Sequence, residues 1–145
     1  MKDLFSIKGK IALVTGGSRG IGEMIAAGFL ASGAKVYISS RKGEVCDATA
    51  DRLSNKYNAE CVSLPSDLSN LEGIESLVTE LGNKESYLDI LVNNAGAAWG
   101  APLDEYPENG WDKVMDTNVK AVFFLIQKLI TILENSGNNE DPSRI

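Results

Sequence analysis

The sequence predicts an α/β fold, a doubly wound parallel sheet with strand order 3-2-1-4 and helices on both faces. Short apolar runs alternate with helical patterns along the chain, which is the signature of successive βαβ units. The first run leads straight into a glycine-rich turn, Gly16-Gly17-Ser18-Arg19-Gly20-Ile21-Gly22, and that turn opens an amphipathic helix.

Residues 11–15 read as the first strand. A helix follows over 20–31, where Ile21, Ile25, Phe29 and Leu30 recur at helical spacing before Ser32-Gly33 stops it. The second strand covers 35–40, so the first crossover spans about 30 residues, as a dinucleotide-binding unit requires. Residues 44–57 and 69–81 are the next two helices, with a third strand at 61–64 between them. Ser69 is the expected N-cap of the later helix, with Glu72 at the capping-box position. A fourth strand covers 88–93. After Asn94-Ala95-Gly96 comes a loop with Trp99, Gly100, Pro102 and Pro107, then a long helical stretch over 108–133. There Val119, Val122, Phe123, Ile126, Leu129, Ile130 and Leu133 make one broad apolar face. That length exceeds the usual helix, and a kink or break is expected near Asn118. Residues 136–143 are polar loop, and Arg144-Ile145 reads as the first step of a fifth strand.

Glycines at 16, 20 and 22 let the chain turn sharply and bring backbone N–H groups against a pyrophosphate at the helix N-terminus, where side chains would block the approach. The helix dipole adds ~0.3–1 kcal/mol per favourable charge contact. The cofactor is selected at the end of the second strand, where NAD binders carry an acidic residue. This chain has Ser40-Arg41-Lys42 instead. A carboxylate there would repel a 2′-phosphate, whereas Arg41, with Arg19 in the glycine turn, can clamp it bidentately. At ~1.5–3 kcal/mol per charge-assisted contact, two such contacts favour NADP by roughly two to four decades.

The 145 residues suit one folded domain, with 43% hydrophobic and 23% charged residues. Fourteen Lys+Arg against 20 Asp+Glu give a formal charge of −6, which disfavours nucleic-acid or anionic-membrane partners. Residues 1–10 show no signal-peptide core and no apolar run is long enough to cross a bilayer, so a cytoplasmic location is the expectation. With no histidine, and with Cys46 and Cys61 too far apart for a CxxC pair, neither a zinc site nor Ser-His-Asp chemistry is expected. The two cysteines read as reduced thiols packed as small hydrophobes.

Thr15-Gly16-Gly17-Ser18-Arg19-Gly20-Ile21-Gly22, Asp67-Leu68, Asn93-Asn94-Ala95-Gly96 and Thr117-Asn118-Val119 together make the chain resemble the short-chain dehydrogenase/reductase family, in particular its NADP-dependent 3-oxoacyl reductase-like members. The resemblance implies a Rossmann-like fold with NADP(H) at the switch between the first and fourth strands. Ser18 and Ile21 then join the glycine turn, Asp67 and Leu68 contact adenine, and Asn94, Ala95 and Gly96 line the cofactor. It implies that Asn118 holds a water in a proton relay, and Asn with two β-branched neighbours, a poor helix former, suits a distorted turn. Trp99 either walls the substrate cleft or packs the loop.

The family's catalytic Ser and Tyr-x-x-x-Lys have no counterpart here, because Tyr37, Tyr57, Tyr87 and Tyr106 are followed four places on by Arg41, Cys61, Leu91 and Gly110. Such a pair gives a proton to the carbonyl oxygen as hydride arrives. The expectation is therefore the dinucleotide-binding part, residues 1–145, of a single Rossmann-fold domain, ending at the start of a fifth strand and inactive alone. The complete enzyme would pass hydride from NADPH to a small-molecule carbonyl, plausibly a 3-oxoacyl thioester, as a homo-oligomer (dimer or tetramer). The alternative is a non-catalytic NADP(H)-binding module or subunit.

Overall fold

The computed structural model describes residues 5–145; the part of the signal-peptide reading that falls on residues 1–4 lies outside it. Strands β1 (Ile11–Thr15), β2 (Lys35–Ser39), β3 (Cys61–Ser63) and β4 (Ile90–Val92) form one parallel sheet in the order β3-β2-β1-β4. Between and after them run α1 (Gly20–Ala31), α2 (Gly43–Tyr57), α3 (Leu71–Gly82), α4 (Glu108–Met115) and α5 (Ala121–Ser136). This is the predicted Rossmann-like doubly wound sheet.

Side-chain alternation along the strands makes the two layers. Leu13 and Tyr37 point into an apolar cluster with Ile74, Leu77 and Leu81 of α3 and Leu125, Leu129 and Leu133 of α5. Val14, Val36 and Ile38 point the other way, against Ala26 and Leu30 of α1 and Cys46, Ala50 and Leu53 of α2. Strands covered on both faces read as continuous apolar runs, as these do. Each fully buried leucine contributes about 2 kcal/mol relative to exposure. The two cysteines are buried free thiols, and burial pushes the Cys61 thiol up to about 12.

Two expectations are corrected and one is borne out. The N-cap of α3 is Asn70, not Ser69: Asn70 Oδ1 accepts the Gly73 N–H at 2.8 Å, while the Ser69 N–H turns back to Asp67 Oδ1 at 3.0 Å. Asn and Ser cap equally well, and here Asn70 stands three residues before the N–H it satisfies. The stretch 108–133 is not one helix: a π turn, Asp116–Lys120, separates α4 from α5, at the break expected near Asn118. The buried face of α5 is Ala121, Leu125, Leu129 and Leu133, whereas Val119, Phe123 and Ile130 of the expected face are exposed. A run apolar on nearly every side does not specify one face, and the extra residue of the π turn rotates the register.

Strand β1 has the expected bounds, whereas β2, β3 and β4 are shorter than 35–40, 61–64 and 88–93; just before β4, Asp89 anchors the chain. Its backbone N–H donates to Ile11 O at 3.0 Å, and its buried carboxylate accepts the Ile11 N–H at 2.7 Å, the Ser136 hydroxyl at 2.5 Å and the Lys10 ammonium at 3.1 Å. Arg144 pairs with Ile90 in parallel, at the place where a strand beyond β4 would lie. No helix among the described residues is long and apolar enough to cross a membrane.

Candidate functional site: a cleft at the strand C-termini

A cleft of about 800 Å³ opens at the C-terminal ends of the four strands. The turns after β1, β2, β3 and β4 each contribute a wall. Gly16, Ser18, Arg19, Gly20, Ile21 and Gly22 come from the first, Arg41 from the second, Asp67 and Leu68 from the third, and Asn94, Ala95 and Gly96 from the fourth. All of these candidate nucleotide residues therefore share one cavity. Asn118 does not line it, although its neighbour Thr117 does.

The glycines play different parts. A Cβ at Gly22 would strike Gly16 O and stand 2.5 Å from Asn94 Nδ2, so this glycine lets α1 close onto the turn after β4. Gly20, at φ +56, has no atom within 4 Å of its would-be Cβ: it holds the left-handed bend and keeps that side of the turn open. Arg19 occupies the N-cap position of α1 with no side-chain cap, leaving the first-turn N–H groups without that usual partner.

Thr15 binds the two central turns together. Its Oγ1 accepts the backbone N–H groups of Asn94 and Ala95, each at 3.0 Å, and donates to Val92 O at 3.2 Å. Asn94 Nδ2 returns hydrogen bonds to Thr15 O at 3.0 Å and Gly16 O at 3.3 Å. Asn118 acts similarly one turn further out, with Oδ1 accepting the Ala97 N–H at 2.8 Å and Nδ2 donating to Ala97 O at 2.9 Å. Trp99 packs the loop, its ring lying on Gly110, where a Cβ would come within 2.8 Å, and it is absent from the cleft wall.

The electrostatics favour an anion. Arg19, Arg41, Lys42 and Lys113 line the cleft, and none has an ion-pair partner among the described residues, whereas Lys10, Lys35, Arg52, Lys120, Lys128 and Arg144 are all paired elsewhere. Asp67 is the single carboxylate on the described wall, and it already accepts the Ser69 N–H. The hydroxyls of Ser39 and Ser40, also on the wall, are buried with no hydrogen-bond partner in the chain. Sequence reasoning did not single out Ser39, Ser66 or Lys113, and it quoted Thr117 only as the neighbour of Asn118. Ser39 could have been found from its place at the end of a strand beside Arg41.

Residues 10–139 match the short chain dehydrogenase family. Over 145 residues the chain is 51% identical to the rhamnolipids biosynthesis 3-oxoacyl-[acyl-carrier-protein] reductase of Pseudomonas aeruginosa, covering all of this chain and 56% of the relative. Its backbone superposes on a Pseudomonas aeruginosa RhlG/NADP active-site complex with TM-score 0.93 and 52% identity, covering 99% of this chain and 56% of that one. An L-sorbose reductase from Gluconobacter frateurii, solved with NADPH and L-sorbose, gives TM-score 0.86 at 29% identity, covering 92% of this chain and 51% of that one. The chain thus spans about half the length of the relatives it matches. With its parallel sheet, its glycine turn and this match along nearly its whole length, the chain belongs to the short-chain dehydrogenase/reductase family.

Proposed function

We propose that residues 1–145 are the dinucleotide-binding part of a single Rossmann-fold domain in an NADPH-dependent carbonyl reductase. The observation that carries this reading is the unpaired Arg19 and Arg41 on the wall of a cleft whose hydroxyls of Ser39 and Ser40 also lack partners. A 2′-phosphate supplies the counter-charge that the two guanidinium groups lack. Pyrophosphate fits beside the uncapped start of α1, adenine fits against Asp67 and Leu68, and Asn94, Ala95 and Gly96 form the wall between them and Ala97. Bound NADPH supplies a hydride.

The chain's own residues bind and orient. Thr15 and Asn94 hold the turns after β1 and β4 at a fixed separation, and Asn118 holds Ala97 against the π turn. Because both polar atoms of the Asn118 side chain are spent on Ala97, we assign its part in a proton relay to the backbone of the π turn. There the ordinary i→i−4 ladder is interrupted and a water can be held. The substrate class we propose is a 3-oxoacyl thioester or related small ketone, which the name of the 51% identical relative supports. We propose a homo-oligomer in the cytoplasm. The exposed Met115, Val119 and Phe123, which line a shallow surface across the end of α4, the π turn and the start of α5, support self-association.

A non-catalytic NADP(H)-binding module or subunit is the second reading. Titration calorimetry with NADPH and NADH tests the nucleotide assignment common to both. NADPH is expected to bind at least about tenfold tighter, and equal affinities would refute the arginine clamp. With either coenzyme and a 3-oxo substrate, the 145-residue chain by itself is expected to give no measurable turnover.

A further inference from the structure

Arg19, Arg41 and Lys42 all stand on the turns after β1 and β2. The fourth unpaired cation of the cleft, Lys113, stands apart from them. It belongs to α4, which follows β4, and β4 lies on the opposite side of β1 from β2. One ligand lying across the strand ends therefore meets cations at both ends of the cleft. The 2′-phosphate and pyrophosphate assigned above account for those at the β1 and β2 turns. They leave Lys113 without an anion.

The surroundings of Lys113 hold its charge without neutralising it. Its ammonium sits 5.4 Å from the centroid of the Trp99 ring. That ring is backed by Gly110, and the Trp99 carbonyl accepts the Tyr106 hydroxyl at 3.4 Å. Ala97, fixed by both polar atoms of Asn118, lines the same cleft. An aromatic face stabilises a cation yet leaves its three N–H donors free for oxygen acceptors. In a chain with 20 Asp+Glu against 14 Lys+Arg, a cleft lysine held by an indole instead of a carboxylate is poised for an external anion.

We infer that Lys113 binds a phosphate group carried by the carbonyl substrate at the end of the cleft remote from Arg41; this rests on the reductase reading above. Substrates bearing such a group are selected over neutral ketones of the same shape. Anion binding draws the ammonium off the indole, so Trp99 itself reports the event.

The test uses protein carrying Trp111→Phe, which leaves Trp99 as the single indole of these 145 residues, saturated with NADP+. Pantetheine 4′-phosphate and pantetheine differ only in the phosphate. The expected result is a saturable change in Trp99 fluorescence with the phosphate-bearing compound at about tenfold lower concentration than with pantetheine. Lys113→Gln abolishes that difference and Lys113→Arg restores it, while NADP+ affinity is the same in both variants. Equal responses to the two compounds, or a phosphate preference that survives in Lys113→Gln, overturns the inference. So does a loss of NADP+ affinity in Lys113→Gln, because the anion is then the cofactor's own. Failure of NADP+ to bind the unsubstituted protein sinks the reductase reading and this inference together, whereas NADP+ binding without phosphate discrimination sinks the inference alone.

Discussion

Thr15 and Asn94 hold each other from both directions: Thr15 Oγ1 accepts the Asn94 N–H at 3.0 Å, and Asn94 Nδ2 donates to Thr15 O at 3.0 Å. The last residue of β1 and the second residue beyond β4 are thereby locked across the point where the sheet order reverses. A nucleotide cleft depends on that lock because its two central walls are the turns these residues begin. Thr15→Val keeps the shape but strands the N–H groups of Asn94 and Ala95. A loss of about 2–4 kcal/mol is expected in urea unfolding, against within about 1 kcal/mol for Thr15→Ser. A valine variant as stable as the parent would show that water satisfies those groups.

The glycine turn separates two physical demands that one motif conceals. Gly22→Ala forces a methyl into Gly16 O and Asn94 Nδ2, both fixed by the lock just described. Gly20→Ala meets no atom and costs about 1–2 kcal/mol for its left-handed backbone. Thermal melts are expected to show Gly22→Ala as much the more damaging. Gly20→Ala should weaken NADPH binding with only that modest loss of stability, since its methyl enters the open side of the turn. Equal melts would mean the turn after β4 gives way easily.

Asn118→Leu removes both hydrogen bonds to Ala97 and puts an apolar side chain in a π turn. The expected effect is a loss of about 1–3 kcal/mol and a large rise in amide hydrogen exchange at Ala97, read by nuclear magnetic resonance. Unchanged protection of Ala97 would contradict the positioning role.

Most of the sheet and the cleft were legible in the sequence because their causes are local. Apolar runs of strand length, glycines at 16, 20 and 22, and Arg41 after β2 are each readable within a few residues, and they led to strand order 3-2-1-4 and a shared wall. What escaped depends on tertiary partners. The hub at Thr15 exists only once Asn94 is brought beside it, Lys113 reaches the cleft through the placement of α4 after β4, and Trp99 declares itself a packing residue only through Gly110. The exposed Phe123 was misread for a related reason, since α5 is apolar nearly all round and only the sheet decides which side is buried. Asn118 sits between the two kinds: poor helix propensity announced a break, but not that the side chain would bond Ala97.

At the opposite end of the sheet, the Tyr37 hydroxyl donates to Glu85 Oε1 at 2.6 Å, and Lys35 bridges Glu85 and Glu60, each at 2.7 Å. Burial pushes the Glu85 carboxyl up, but the hydrogen bonds from Lys35 and Tyr37 outweigh it and hold the group below 4.5. A lowered carboxyl stabilises the fold above 4.5, and that contribution is lost as pH falls through the lower folded value. Tyr37 is pushed up to about 12, by burial first and by the Glu85 hydrogen bond second, so its contribution is present below 10.0 and is lost as pH rises towards 12. Glu85→Gln is therefore expected to flatten the acid limb of the stability–pH curve, and Tyr37→Phe the alkaline limb. Both follow from melts across the pH range, and an unaltered acid limb in Glu85→Gln would assign acid sensitivity to another carboxylate.

Arg41 provides the sharpest test of the cofactor reading, because its two expected consequences have opposite signs for two coenzymes that differ by one phosphate. Arg41 lines the wall beyond β2, and no carboxylate pairs with it among the described residues. Arg41→Asp takes away a charge-assisted bidentate contact and sets a carboxylate where the 2′-phosphate would lie, so NADPH affinity should fall by about two decades. The same carboxylate can accept the ribose hydroxyls of NADH, whose affinity should hold or rise. A parallel Arg19→Gln is expected to weaken NADPH by about tenfold and leave NADH nearly unchanged, because its neighbour at 41 still holds the phosphate. If Arg41→Asp lowered both coenzymes equally, the arginine would be supporting the β2 turn and the preference for NADPH would have to arise elsewhere on the wall.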